Sequence, residues 1–148
     1  MGQTLHSLTY HLVFSTKNRE SCLTKSLRNK LCEFLTAYIN SNFGYCHEIN
    51  GHLDHIHILC DIAPKNSISY FVKEIKVKSS VHLKSIMNCH FSWQSGYGAF
   101  SVSKSNISAV KKYIQNQEEH HRKLSFKDEF RKFLAKHEVE YDEKYIWS

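Results

Sequence analysis

The chain has 148 residues, a formal net charge of +6 and a sequence pI near 9.0. This length fits one domain with a sizeable core, and we expect a single domain over residues 1–148. The excess of basic residues favours a polyanionic partner, either nucleic acid or an acidic membrane surface. The amino-terminal stretch lacks a secretory signal pattern, and no apolar run has the length of a membrane span, so we predict a cytoplasmic protein without a membrane partner.

The cysteine pattern argues against a covalent or metal scaffold. The chain has five cysteines, which are Cys22, Cys32, Cys46, Cys60 and Cys89. The number is odd and no pair has C-x-x-C spacing, so a disulfide framework or a structural zinc site is disfavoured. We therefore predict reduced, mostly buried thiols.

The first part of the chain predicts a strand, a helix and two further strands. Residues 7–16 are rich in β-branched and aromatic types and indicate a strand. From about residue 23 to 43, apolar residues recur at three- and four-residue spacing, which predicts a helix with one apolar face. The apolar segments 45–53 and 55–62 follow and are typical of paired strands.

The remaining segments predict a second helix, a fourth strand and carboxy-terminal helices. A turn at residues 64–67 supplies helix-capping types, and a basic helix is predicted over 68–86. Residues 91–102 return to strand-like composition. Further helices are predicted from about 106 to 123 and over 125–137.

This element order indicates one fold class. Strand, helix, strand, strand, helix, strand is the βαββαβ order of the ferredoxin-like split βαβ sheet. We therefore predict an α+β fold, an antiparallel sheet with helices on one face, followed by carboxy-terminal helices of which one carries Tyr113.

Two histidines lie two residues apart on the predicted third strand. Because side chains alternate along a strand, His55 and His57 point to the same face and can ligate one divalent ion, while Ile56 packs into the core behind. In a chain with eleven histidines, about one such pair is expected by chance. The spacing therefore indicates a metal site only in combination with other residues.

A tyrosine and a glutamine lie one helical turn apart on the predicted third helix. Tyr113 and Gln117 then share a face. A tyrosine hydroxyl can attack phosphorus when it is held in line, and the amide oxygen of Gln117 could complete a metal site. A tyrosine at helical spacing with apolar neighbours is, however, usually a core or rim residue, and this segment alone favours that interpretation. His120 and His121 follow, and we assign them no specific role because such residues are more often solvated.

A glycine- and aromatic-rich segment supports a different function. Residues 96–102, GYGAFSV, resemble the base-stacking strand of RRM domains, although the leading basic residue and the final aromatic are missing. The alternative is a non-catalytic single-stranded nucleic-acid binder that stacks bases on Tyr97 and Phe100. A glycine-bearing strand that another backbone approaches closely is equally compatible with this pattern.

Several segments of distinctive amino-acid sequence follow one another almost from end to end of the chain. They are YHLVFSTKNRE at 10–20, GHLDHIHILCDI at 51–62, VKSS at 77–80, WQSGYGAFSVS at 93–103, VKKYIQNQEEHH at 110–121, SFKDEF at 125–130 and YDEKYIW at 141–147. Together they resemble the single-tyrosine HUH transposases of the smallest bacterial insertion sequences and their domesticated, repeat-associated relatives.

This resemblance implies a specific set of site residues. His55 and His57 match the metal ligands of the H-U-H motif, with Ile56 as its bulky apolar residue, Tyr113 matches the nucleophile and Gln117 the helix-borne third ligand. The implied ion is Mg²⁺ or Mn²⁺, and imidazole ligands suit Mn²⁺ better. The resemblance also implies a ferredoxin-like homodimer in which the tyrosine helix of one subunit can complete the active site of the other.

The implied activity is cleavage and rejoining of single-stranded DNA at the ends of an insertion sequence. Attack by Tyr113 leaves a 5′-phosphotyrosine and a free 3′-hydroxyl, and a second 3′-hydroxyl can reverse the reaction without ATP. A metal-dependent nuclease, in which water replaces the tyrosine, is a further alternative. Members of the family recognise imperfect DNA hairpins, and the residues that we expect to contact DNA phosphates are Lys17, Arg19, Lys76 and Lys78.

Overall fold

The computed structural model describes residues 2–88 and 90–148. The main elements are β1 (Thr9–Ser15), α1 (Lys25–Asn42), β2 (Gly44–Gly51), β3 (His55–Ile62), α2 (Ile68–Met87), β4 (Gly98–Ser101), α3 (Ile107–Gln115), α4 (Gln117–His120) and α5 (Phe126–Lys136). Short 3₁₀ turns lie at Lys17–Arg19 and Lys104–Asn106. Among the described helices, none combines the length and the apolar character needed to cross a bilayer.

The strands form one antiparallel sheet in the order β2-β3-β1-β4. Each βαβ half of the chain therefore places its second strand beyond a neighbour from the other half, which is the ferredoxin-like arrangement. The predicted fold class is confirmed. The two central strands, β1 and β3, pair along the whole of β1, from Thr9 opposite Asp61 to Ser15 opposite His55.

The fourth strand is shorter than the predicted segment 91–102, because β4 begins only at Gly98. The preceding loop is held by Lys76, whose ammonium donates to the carbonyl oxygens of Gln94, Ser95 and Gly96 at 2.8, 3.1 and 2.6 Å. These three carbonyls converge on the Lys76 ammonium, so they do not form hydrogen bonds with a neighbouring strand, and the segment does not continue β4.

Helices α1 and α2 cover one face of the sheet, as predicted. Alternation along β1 and β3 turns Leu12, Phe14, Ile56 and Ile58 toward these helices, where they form the main core. The side chains of Thr24 and Ser67 cap the two helices. Each accepts a hydrogen bond from the backbone N–H three residues further along the chain. This layer fixes the orientation of β3, and with it the direction of the histidines between the core residues.

The carboxy-terminal helices cover the opposite face of the sheet. Helix α3 contacts β2 and β3, and α5 packs against Val13 and Phe100 through its aromatic side chains. Phe130 of α5 can approach β4 closely because residue 98 is glycine: a Cβ at this position would lie 2.6 Å from the Phe130 ring. A second, smaller core therefore forms on the sheet face that carries His55 and His57.

The helix predicted over 106–123 is interrupted. Helix α3 ends at Gln115, α4 begins at Gln117, and Asn116 between them has φ −96° and ψ 25°. The N–H of Asn116 is shared between the carbonyls of Lys112 and Tyr113. The prediction of one continuous helix is therefore wrong, and Tyr113 and Gln117 lie on either side of the break.

Three of the described cysteines agree with the predicted reduced state. Cys32, Cys46 and Cys60 are free and are buried or half-buried, and Cys22 is half-buried as well. The fifth, Cys89, lies outside the described residues.

Candidate active site

Strand β3 places the histidine pair on the sheet face that the carboxy-terminal helices cover. His55 and His57 are fully buried. Each ring is held through Nδ1 from outside the site: His55 Nδ1 lies 2.8 Å from Asp54 Oδ1, and His57 Nδ1 lies 2.8 Å from Nε2 of His11 on β1. Both Nε2 atoms therefore face the space beneath α4 and α5.

Helix α4 supplies an amide at this point, and His121, the residue that follows the helix, supplies a third imidazole. Gln117 is fully buried, and its Oε1 lies 3.0 Å from His55 Nε2 and 3.0 Å from His121 Nε2. The ring of His121 is held by the carbonyl oxygen of Leu124 at Nδ1. Gln117 thus contacts His55 of the histidine pair, and His121, to which the sequence assigned no role, is part of the same cluster.

Helix α5 contributes a buried carboxylate to the same space. Glu129 is only 2% exposed. Its Oε1 lies 3.0 Å from His57 Nε2 and 3.3 Å from the Nε2 atoms of His55 and His121. The carboxylate therefore contacts all three imidazoles at once.

The second oxygen of Glu129 binds the tyrosine. Oε2 accepts hydrogen bonds from the Tyr113 hydroxyl and, at 3.2 Å, from Nε2 of Gln117. Glu129 thus binds residues on both sides of the break at Asn116. The rings of Tyr113 and His57 are in a T-shaped arrangement, with 5.9 Å between their centroids. The structure thus brings together Tyr113, Gln117 and the histidine pair.

Sequence reasoning missed Glu129, although a signal for it exists. Phe126, Phe130 and Phe133 form the apolar side of α5, and Glu129 occupies a position within this stripe. A carboxylate on the buried face of an amphipathic helix needs a partner, because an unpaired buried charge is strongly unfavourable. A glutamate in this register therefore points to a site beneath the helix.

The electrostatics favour an ionised carboxylate. Burial alone would raise the pKa of the Glu129 carboxyl, but the interaction with His57 and the hydrogen bonds of the imidazoles outweigh burial and hold this pKa well below its usual range. Burial likewise acts against the charged form of His55, yet the hydrogen bonds to Asp54 and Glu129 raise its pKa. Burial is the largest cause that lowers the pKa values of His57 and His11.

The phenol of Tyr113 stays protonated in this arrangement. Burial raises its pKa, the charge of Glu129 and the hydrogen bond to it raise it further, and the hydrogen bond with Gln117 acts in the opposite direction. Attack by this oxygen therefore requires positive charge close to it, or removal of its proton during the reaction.

The donor set fits a divalent ion. Ligand atoms of His55, His121 and Glu129 lie within 4.8 Å of one another, and Gln117 and His57 contact the same atoms. Imidazole nitrogens combined with amide and carboxylate oxygens suit an ion such as Mn²⁺, and no thiolate takes part. The chemistry of these residues is thus consistent with the metal that the sequence implies.

A cavity of about 510 Å³ gives access to the tyrosine and to Glu129. Val110 and Phe133 line it with apolar surface, and the exposed Lys132 and Lys136 line it as well. A nucleic-acid strand, which combines stacking bases with anionic phosphates, matches such a lining.

The four residues predicted to contact DNA differ in their surroundings. Lys17 and Lys78 are exposed. Arg19 donates to the Trp147 carbonyl oxygen at 2.9 Å and lies over the Trp147 ring. Lys76 donates to three carbonyls, and burial lowers its pKa to about 8. Lys76 therefore holds the loop before β4 in this structure, which is a different role from the predicted one.

The stacking platform of the alternative, non-catalytic binder is not available. Phe100 is only 4% exposed and packs against Phe133 and His137 beneath α5. Tyr97 is partly exposed, and its ring contacts the Lys76 ammonium. Phe100 therefore cannot stack bases as the alternative requires, because the carboxy-terminal helices cover this side of the sheet.

Comparisons with known proteins agree with the geometry. A family model described as "Transposase IS200 like" matches residues 4–117. The transposase for insertion sequence element IS200 from Salmonella typhimurium is 31% identical over 132 residues, which cover 79% of this chain and 81% of that protein. The ISDra2 transposase TnpA from Deinococcus radiodurans is 26% identical over 120 residues, covering 76% and 86%.

Solved structures share the fold. A crystallised Deinococcus radiodurans R1 protein assigned as a transposase superposes with a TM-score of 0.63 at 24% identity, over 79% of this chain and 96% of that one. A REP-associated tyrosine transposase bound to a REP hairpin superposes with a TM-score of 0.58 at 14% identity, over 82% and 74%. The matched family range includes Tyr113 and Gln117 and ends before His121 and Glu129.

Proposed function

The chain belongs to the family of IS200-like transposases, and we propose that it cleaves and rejoins single-stranded DNA through a covalent bond between the DNA and Tyr113. One observation carries this proposal: the Tyr113 hydroxyl, the pair His55 and His57, and the Gln117 amide converge on one buried point beside an accessible cavity. Such a convergence of a nucleophile and metal-binding donors is what phosphoryl transfer requires.

In this proposal His55, His57 and Gln117 hold a divalent ion, Mg²⁺ or Mn²⁺. When bound, the ion supplies positive charge that polarises the scissile phosphate and favours attack on phosphorus. The outer partners Asp54 and His11 keep the two imidazoles oriented, because each occupies the ring nitrogen that faces away from the site.

Tyr113 acts as the nucleophile. A bond forms between its phenolic oxygen and phosphorus, the bond from phosphorus to the 3′-oxygen breaks, and the products are a 5′-phosphotyrosine and a free 3′-hydroxyl. The phenolic O–H points at Oε2 of Glu129, so an acceptor for the proton is in contact. Rejoining is the reverse attack by a second 3′-hydroxyl, and it needs no ATP because the phosphodiester energy is retained.

We propose that the partner is a single-stranded DNA with a hairpin. The structural relative bound to a REP hairpin supports this extension. The exposed Lys17 and Lys78 remain candidates for phosphate contacts, and Lys132 and Lys136 beside the cavity join them. We also propose a homodimer with active sites completed between subunits, although Tyr113 of the single chain lies at its own histidine pair.

The test is a search for the covalent adduct. A single-stranded hairpin substrate labelled at its 3′ end is incubated with the protein and Mn²⁺, and the products are separated under denaturing conditions. We expect a cleaved, protein-linked labelled band from the wild type. Tyr113→Phe should lose both cleavage and adduct but keep DNA binding, since only the attacking oxygen is removed.

Tyr70→Phe is the matched control, because Tyr70 is half exposed on α2 and lies outside the site. It should behave as the wild type. Accumulation of cleaved DNA without a protein-linked band would assign the attack to water and would contradict the proposed mechanism.

A further inference from the structure

The carboxylate of Glu129 contacts the same imidazole nitrogens that the proposed metal site uses. We propose that Glu129 is the anionic ligand of this site, and that α5 is thereby part of the catalytic centre. This inference rests on the transposase site proposed above. It adds a ligand from a segment beyond residue 117, where the family match ends.

The distances are those of neighbouring ligands around one ion. Glu129 Oε1 lies 3.0 Å from His57 Nε2 and 3.3 Å from His55 Nε2. Adjacent ligands of an octahedral ion with bonds of roughly 2.1 Å are about 3 Å apart. The carboxylate is therefore already at ligand spacing from both histidines, without a movement of α5.

The histidines have the outer hydrogen bonds that are typical of metal ligands. His55, His57 and His121 each direct Nδ1 to a group outside the cluster: the carboxylate of Asp54, the ring of His11 and the carbonyl of Leu124 respectively. Metal-binding histidines usually hold their second nitrogen in this way, which fixes the ring and aims the first nitrogen at the ion. All three Nε2 atoms are aimed at Glu129.

Charge gives the physical reason for a carboxylate at this place. Two neutral imidazoles and an amide carry no charge, so a divalent cation among them would be buried without compensation. Among the described residues Glu129 is the only buried carboxylate, and its ion-pair partners are histidines, with no lysine or arginine. A divalent cation would complete its charge balance.

The carboxylate also tunes the choice of metal. Imidazole ligands alone suit Zn²⁺, Cu²⁺ or Ni²⁺, whereas carboxylate and amide oxygens suit Mg²⁺ and Mn²⁺. Glu129 together with Gln117 makes the oxygen share of the donor set comparable with the nitrogen share. We therefore expect Glu129 to contribute to Mn²⁺ and Mg²⁺ affinity in the absence of DNA.

The test is a calorimetric titration of the DNA-free protein with MnCl₂. Glu129→Gln keeps the shape of the side chain and one acceptor oxygen, and it removes the charge. We expect a rise in Kd of about tenfold or more. Glu119→Gln makes the same change of net charge at an exposed position of α4, and it should leave the Kd unchanged.

His57→Ala separates this inference from the function on which it rests. If His57→Ala abolishes Mn²⁺ binding while folded Glu129→Gln keeps wild-type affinity, Glu129 is not a ligand and the proposed transposase site stands. If His57→Ala itself keeps wild-type affinity, the proposed metal site is wrong, and the role of Glu129 is wrong with it. Circular dichroism of each variant checks the fold.

Anomalous diffraction from wild-type crystals grown with Mn²⁺ gives the same decision without any variant. A manganese peak roughly 2.0–2.3 Å from a carboxylate oxygen of Glu129 supports the proposal. A peak bound by His55 and His57 but out of reach of Glu129 overturns it.

Discussion

His57 illustrates how a single side chain links the sheet to the site. In the described hydrogen bonds its Nε2 faces Glu129, and its Nδ1 faces Nε2 of His11. A proton on Nε2 serves the contact with Glu129, whereas a metal at Nε2 requires the proton on Nδ1, which then donates to His11. Burial lowers the pKa of His11 well below its usual value, so this ring is neutral and can act as donor or acceptor.

The substitution His11→Phe tests whether the hydrogen bond with His11 orients His57 as a ligand. We expect about a tenfold loss of Mn²⁺ affinity, because His57 loses the partner that orients it as a ligand. Calorimetry on the DNA-free protein measures the change. His6→Phe, at an exposed position before β1, is the control. Unchanged affinity in a folded His11→Phe protein would show that His57 is oriented by its packing alone.

At the scale of elements, two of the four lysines on α2 have different surroundings. Lys76 lies on the side that faces the loop before β4, where its ammonium holds three carbonyls. Lys78, two residues further along the helix, is exposed. Composition makes the two residues equivalent, but helix geometry turns them in different directions.

We expect Lys76→Met to lower the free energy of unfolding by about 1–3 kcal/mol, because it leaves partly buried carbonyls without a donor. Lys78→Met should change stability by less than about 0.5 kcal/mol. For DNA binding we expect the larger effect at Lys78. Lys78→Met should weaken hairpin binding and should reduce the slope of log K against log salt concentration by the amount that corresponds to about one phosphate contact.

Urea unfolding and fluorescence-anisotropy titration at several salt concentrations measure the two effects. Loss of DNA affinity in Lys76→Met with unchanged stability would restore the DNA contact predicted for Lys76. An unchanged salt dependence in Lys78→Met would remove Lys78 from the DNA-binding surface.

At the scale of the whole molecule, the carboxy-terminal helices close the site over the sheet. Tyr113 on α3, Gln117 on α4 and Glu129 on α5 meet the β3 histidines only because all three helices pack on one face. In the proposed homodimer, the helices of the partner subunit would take the place of the chain's own helices over the histidine pair. The same contacts would then be made between subunits.

Mixing two inactive variants distinguishes these assemblies. Tyr113→Phe and His57→Ala are each expected to lack cleavage. If active sites are completed between subunits, as proposed, their mixture forms heterodimers with one intact site, and cleavage and adduct return. The assay is the covalent-adduct assay, with each variant alone as control. A mixture without activity, in a preparation where subunit exchange is demonstrated, would assign the tyrosine to the histidine pair of its own chain.

Local sequence pattern alone determined a large part of this protein. The period-two alternation of β3 placed His55 and His57 on one face, and the order of periodic segments predicted the ferredoxin-like sheet that the structure confirms. These features depend on residues close together in the chain, so a linear pattern contains them. The residue types Tyr113 and Gln117 were likewise evident, through the resemblance of their segment to a known family.

Tertiary structure alone decided which other side chains join them. Glu129 lies 72 positions from His57 along the chain, and their contact exists only because Gly98 and the aromatic side of α5 allow that helix to pack on the sheet. The same packing buries Phe100, brings His121 into the cluster and bridges the break at Asn116. Contacts of this kind arise from the relative position of whole elements, which no local periodicity specifies.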